Sequence, residues 1–163
     1  MFDVLVFVYE NYWRGDACPE WQQLGRKLSA VGFEQEEIRE ALAWLDGLRN
    51  ATHATQIVLS QTSTIGASIQ PASPDSLRVY SVAEQDHLGA ESLGFLSFLA
   101  STSVLPSHLL EIAIDRAMAA RGEPVALEEL KIIVLMVYWS SGLEPDALVL
   151  DELCDDASAR VAH

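Results

Sequence analysis

KIIVLMVYW, residues 131–139, sets one lysine before eight consecutive apolar or aromatic residues in a chain of 163. A membrane-spanning helix needs about 20 apolar residues. This run is closed off by Glu128 and Glu129 before it and by Ser140, Ser141 and Gly142 after it, so it is too short to span. The upstream ALEEL continues it with good helix formers, and the whole makes about four turns. Gly142 suits the C-terminal stop. A helix that is apolar all round normally sits at the centre of a bundle. The run therefore predicts a buried core helix over 126–139 in a mostly α protein.

Working outward, residues 2–13 read as a first helix, with Phe2, Leu5, Val6, Tyr9 and Trp13 near one face. Residues 20–31 give a second, striped by Trp21, Leu24, Leu28 and Val31, and Gly32 stops it with Phe33 folding back over the end. Residues 35–49 give a third, with Ile38, Ala41, Leu42, Leu45 and Leu48 at helical spacing. The Ser- and Thr-rich stretch 51–76, with Gly66, Pro71 and Pro74, reads as a flexible loop. QIVLS (56–60) and LRVYS (77–81) read as short strands that would pair into a β-wing.

Ser81 and Glu84 carry a capping-box signature. Helices follow over 90–103, from Pro106 to the Gly122-Glu123-Pro124 break, and through the opening run, with a last short helix in EPDALVLDELCDD. The expected organisation is an N-terminal three-helix, winged-helix-like unit with a short β-wing over 1–81, a C-terminal helical bundle over 82–142 packing on it, and an acidic tail over 143–163.

Charge restricts the function. There are 24 acids against 10 Lys and Arg, a formal net charge of −14. Such a balance repels polyphosphates and argues against nonspecific nucleic-acid binding. The third helix would be the recognition helix of a winged-helix domain. It reads EQEEIREALAWLD and sets Glu34, Glu36, Glu37, Glu40 and Asp46 against Arg39 alone. Base and phosphate contacts usually use Arg, Lys, Asn or Gln. The helix is better suited to a protein partner, through Trp44 with Glu36, Glu37 and Glu40. The alternative is nucleic-acid binding through Arg26, Lys27 and Arg39, with Arg78 in the wing.

The chemistry-bearing residues are scattered. Cys18 and Cys154 are far apart, so no disulfide framework is expected and a reducing cytoplasm suits the chain. His53, His87, His108 and His163 form no zinc-ligand spacing. The C-terminal acids Glu144, Asp146, Asp151, Glu152, Asp155 and Asp156 lack the spacing of a calcium loop. Asp115 and Arg116 are adjacent on a helix and point to different faces, so no catalytic pair is read there. Phosphate-binding glycine motifs and a nucleophile elbow are missing from the sequence. The expectation is a protein without enzymatic activity, cofactor or metal, binding a protein partner or a second copy of itself and neither nucleic acid nor membrane.

The blocks MFDVLVFVYENYW, GFEQEEIREALAWLDGL, SLRVYSVAEQDHL, GFLSFL, AIDRAMA and LEELKIIVLMVYW, in this order over residues 1–140, resemble the Smg family of bacterial proteins. The resemblance implies a cytosolic protein of a functionally uncharacterised family and brings no catalytic residue with it. The family's genes often lie near genes for DNA processing, which associates the protein with nucleic-acid metabolism without giving a mechanism.

Overall fold

The computed structural model describes residues 1–12, 20–65, 78–122 and 124–145. Among the described residues six helices follow one another: α1 (Phe2–Asn11), α2 (Trp21–Val31), α3 (Gln35–Ile65), α4 (Val82–Ser101), α5 (Ser107–Met118) and α6 (Leu127–Ser141). The opening run is the axis of the molecule. Every residue from Leu130 to Tyr138 is buried, and α1, α3, α4 and α5 all pack on α6. A helix enclosed on all sides has no use for a polar face. Its polar side chains are accommodated individually: the Trp139 indole donates to the Tyr12 carbonyl at 2.6 Å, the Tyr138 hydroxyl donates to the Val104 carbonyl, and the ammonium of the buried Lys131 lies over the Phe95 ring at 6.0 Å.

Helix α1 supplies Val4, Leu5 and Val8, all fully buried, to the same core. Two helix ends are closed by glycines in the left-handed region, Gly32 (φ 115°) and Gly142 (φ 67°), where a Cβ would be strained. At each, the following residue donates back five positions, Phe33 to the Leu28 carbonyl and Leu143 to the Tyr138 carbonyl, both at 3.2 Å. Phe33 then meets Phe7 edge-on with ring centroids 5.6 Å apart, tying the α2–α3 turn to α1. Helix α2 otherwise lies on the outside, against α3.

The predicted β-wing is not present, and among the described residues there is no strand. QIVLS lies inside α3, which runs to Ile65 where a loop from residue 51 was expected. The Ser and Thr content that suggested a linker is absorbed by the helix itself. Thr52 and Thr55 donate their hydroxyls to the Leu48 and Ala51 carbonyls, each at 2.9 Å, and Ser60 donates to the Ile57 carbonyl at 2.8 Å. The Thr52 and Ser140 hydroxyls also lie 3.0 Å apart, which holds the middle of α3 to the end of α6. Residues 66–76 of the expected loop, and the tail from 146 onward, lie outside the described residues.

Residues 78–80 of LRVYS are irregular, with Val79 exposed and Arg78 turned to the next helix. The capping box is formed: the Glu84 amide donates to the Ser81 hydroxyl at 3.3 Å and the Ser81 amide to the Glu84 carboxylate at 2.7 Å. Arg78 donates to Glu84 at 2.9 Å and to Glu111 of α5 at 2.6 Å, with its guanidinium over the Tyr80 ring. Helix α4 breaks at Gly89 (φ 71°), between the two helices read in sequence. Beside the break, the His87 carbonyl accepts from the Val125 amide at 2.8 Å, which links α4 to the α5–α6 connection. Among the described residues, no helix is long and apolar enough to cross a membrane.

Candidate functional site

The first half of α3 is the spine of the surface that gathers most of the predicted site residues. Its sequence alternates a buried stripe (Ile38, Ala41, Leu45, Leu48) with polar positions that stay at the surface. A hollow lies on each flank of that polar edge, and Glu36 and Arg39 line both. Their own ion pair, at 3.2 Å, is more than two-thirds exposed on both sides and contributes little stability.

On one flank, α2 and α3 enclose a groove of about 990 Å³. Trp21, Gly25, Ile38 and Leu42 give it an apolar floor. Gln22, Arg26, Ser29, Gln35, Glu36 and Arg39 make the rim. An apolar centre within a polar rim is the usual anatomy of a protein interface. At the far end of α3's first half, Arg49 lies over the Trp21 ring at 5.2 Å and pairs with Asp46 at 2.9 Å, which fixes the indole.

On the other flank lies a cleft of about 450 Å³ between α3 and the end of α5. Ala43, Trp44 and Ala119 line it with apolar surface, and Glu36, Arg39, Glu40, Arg116, Arg121 and Met1 complete it. Arg121 donates to Glu40 at 3.0 Å. Arg116 is held twice by Asp115, at 2.7 and 3.0 Å, so the neighbours read as pointing apart in fact reach each other. Its guanidinium meets α3 at Gly47 through Nη1, which an added Cβ would approach to 2.0 Å. Gly47 is thus the reason α5's arginine can approach α3 so closely.

Trp44 is a core residue at 5 % exposure, in place of the displayed aromatic expected from the sequence. Its indole donates to the Arg116 carbonyl at 3.0 Å, and only its margin reaches the cleft. Glu36 and Glu40 line the same cleft, while Glu37 faces the Met1 ammonium at 3.8 Å and accepts from the Glu34 amide at the helix start. Of the nucleic-acid candidates, Arg26 and Arg39 share the α2–α3 groove. Lys27 sits over the Tyr12 ring at 5.4 Å. Arg78 belongs to no wing and is clamped between Glu84 and Glu111.

Sequence reasoning missed Trp21, Leu42, Arg116 and Arg121 as site residues. The helical stripes of α2 and α3 both run wider than one buried face needs, and that excess was the legible signal for the groove. Nothing local marks Arg116 or Arg121, because the cleft is formed by a helix 72 positions away from Trp44.

A family model described as "Protein of unknown function (DUF494)" matches residues 1–163. Full-length relatives agree with it. The chain is 61 % identical to a protein Smg homolog of Leptothrix cholodnii over 163 residues, covering 100 % of both chains. It is 55 % identical to a protein Smg homolog of Methylibium petroleiphilum and 47 % identical to one of Bordetella petrii, again over 100 % of each. No solved structure matches the chain. With every block quoted from the sequence falling inside these full-length matches, the chain belongs to the Smg protein family.

Proposed function

We propose that the protein is a non-catalytic interaction protein of the cytosol, which docks a protein partner in the α2–α3 groove. The observation that carries this reading is the groove itself: an apolar floor of Trp21, Ile38 and Leu42, rimmed by Arg26, Gln35 and Arg39. Its size and anatomy fit a partner's side-chain anchors, with the rim setting register. The net charge of −14 supports a protein over a nucleic acid as the occupant, because the field of the whole chain repels a phosphate backbone. Glu36, on the groove rim, would discriminate against partners that carry acids at the same place.

The test is photo-crosslinking in living cells from a benzoylphenylalanine placed at Gln22, on the groove rim, with exposed Glu91 on α4 as the comparison position. A discrete protein adduct from position 22 that is missing from position 91 is the expected result. Adducts of equal yield from both positions, or none from position 22, would remove the groove as the docking site.

A further inference from the structure

We infer that the occupant of the α2–α3 groove is an amphipathic helix of a partner protein, its apolar stripe on the groove floor and a row of Asp or Glu along the edge that meets Arg26 and Lys27. The inference rests on the docking reading above and names the chemistry of the partner. Acids outnumber Lys and Arg 24 to 10 over the chain, yet α2 is the one helix of the described six without an acid. Trp21–Val31 holds Arg26 and Lys27 and no Asp or Glu. Arginines on the other helices are matched by their own carboxylates, Arg39 by Glu36, Arg49 by Asp46 and Arg116 by Asp115. Among the described residues, Arg26 and Lys27 are in no ion pair. Both are exposed, and the Tyr12 ring under Lys27 brings no countercharge.

Gly25 points to an occupant independently of charge. It lies inside α2, and an added Cβ would meet Leu42 Cδ1 at 3.5 Å and Ile38 Cγ2 at 3.9 Å, both ordinary contacts. Neither the backbone nor the packing of α2 on α3 therefore calls for glycine, which is a poorer helix former than alanine. Its effect is to leave the groove floor bare, where another backbone can come close. A hollow between two packed helices, lined by Trp21, Ile38 and Leu42, is the shape that receives a third helix. The two edges of the groove differ. On α3, Arg39 is neutralised by Glu36, while on α2 the positive charge is unmatched. The acids of an incoming helix therefore belong on the α2 side, away from Glu36. Exposed acids elsewhere on the chain are screened beyond about 8 Å at physiological salt, so α2 sets the local field. Two cations beside an apolar floor suit a few carboxylates better than the long run of phosphates on a nucleic acid.

A display library of helical peptides tests it, each with a fixed leucine stripe and randomised flanks, selected against the full chain at physiological salt. Selected peptides are expected to carry Asp or Glu along one flank. The strongest of them should bind the double variant Arg26→Glu, Lys27→Glu about tenfold or more weaker, and selection against that variant should put Lys or Arg on the same flank. Gly25→Met should abolish peptide binding without lowering the melting temperature, because methionine is the better helix former. Selected peptides without an acidic flank, or with equal affinity for the double variant, would overturn the acidic partner and leave docking in the groove standing. No selected peptide, or peptides indifferent to Gly25→Met, would overturn the helical occupant. The groove itself then falls only if the crosslink from position 22 is also missing. Displacement of the peptide by an equal concentration of a short nucleic-acid duplex would overturn the inference in favour of a nucleic acid. Should the double variant fail to fold, amide NMR shifts of the unaltered protein with the selected peptide decide. Perturbation centred on Gln22, Gly25 and Leu42 supports the inference, and perturbation centred elsewhere refutes it.

Discussion

The Trp44 indole donates to the Arg116 carbonyl at 3.0 Å, joining residues 72 positions apart and fastening α3 to α5. One hydrogen bond thereby couples core and surface. The ring is packed in the interior, while the residue that accepts its proton carries the guanidinium that lines the cleft. Trp44→Ala should cost about 3–5 kcal/mol in urea denaturation, the range for deleting a large buried aromatic. Trp44→Phe keeps most of the volume and leaves the Arg116 carbonyl unpaired, so it should cost about 1–3 kcal/mol. A Trp44→Ala variant as stable as the unaltered protein would show that the indole is not core.

Trp44 also shows where sequence reading stops. Its place between Leu42 and Leu45 suggests a position off the centre of the stripe, and periodicity alone sees only the faces of α3. The second layer that buries it, α5, is set by tertiary packing. The KIIVLMVYW helix was legible because a run apolar on every side admits few environments. The Ser81–Glu84 cap and the Gly32 and Gly142 stops were legible because each is a local hydrogen-bond pattern. The distal half of α3 was not. Thr and Ser signal loops when their hydroxyls compete with the helix for backbone groups, and here they bond to carbonyls of the helix they belong to. The two flanking hollows depend on how α2 and α5 lean on α3, information spread over the whole chain.

The extension of α3 is open to a direct check at Gln56, an exposed position inside it. Gln56→Pro should cost about 3 kcal/mol and lower the helical circular dichroism, because proline removes an intrahelical donor and clashes with the preceding turn. A linker at 51–65 would accept proline with neither change.

Acid should loosen the start of α4 in a defined window. The Arg78 guanidinium, followed by the Ser81 amide, holds the Glu84 carboxyl from its ordinary 4.5 down to about 2. A carboxyl lowered in the folded state stabilises the protein above its ordinary value and loses that contribution as pH falls through the folded value. The stability difference between the unaltered protein and Glu84→Gln should therefore be full above pH 4.5 and shrink as pH falls towards about 2. A difference that stays constant across this window would mean that Glu84 is not ionised by its partners.

Core and surface apolar residues should separate cleanly. Ile133 is fully buried on α6, and Ile133→Ala should cost about 2–5 kcal/mol. Phe98 on α4 is 57 % exposed, and Phe98→Ala should stay within about 1 kcal/mol. Thermal or urea unfolding of the two variants side by side checks both. Equal losses would contradict the placement of α6 at the centre.

The most direct test of the proposed role is affinity capture from the native host, with and without nuclease, using the unaltered protein and the rim variant Arg26→Glu, Arg39→Glu. Both arginines are exposed on the groove rim, so the variant should fold and unfold as the unaltered protein does. The account predicts a stoichiometric protein partner that survives nuclease and is lost from the rim variant. A partner retained by the rim variant, or one that disappears with nuclease, would contradict protein docking in the α2–α3 groove.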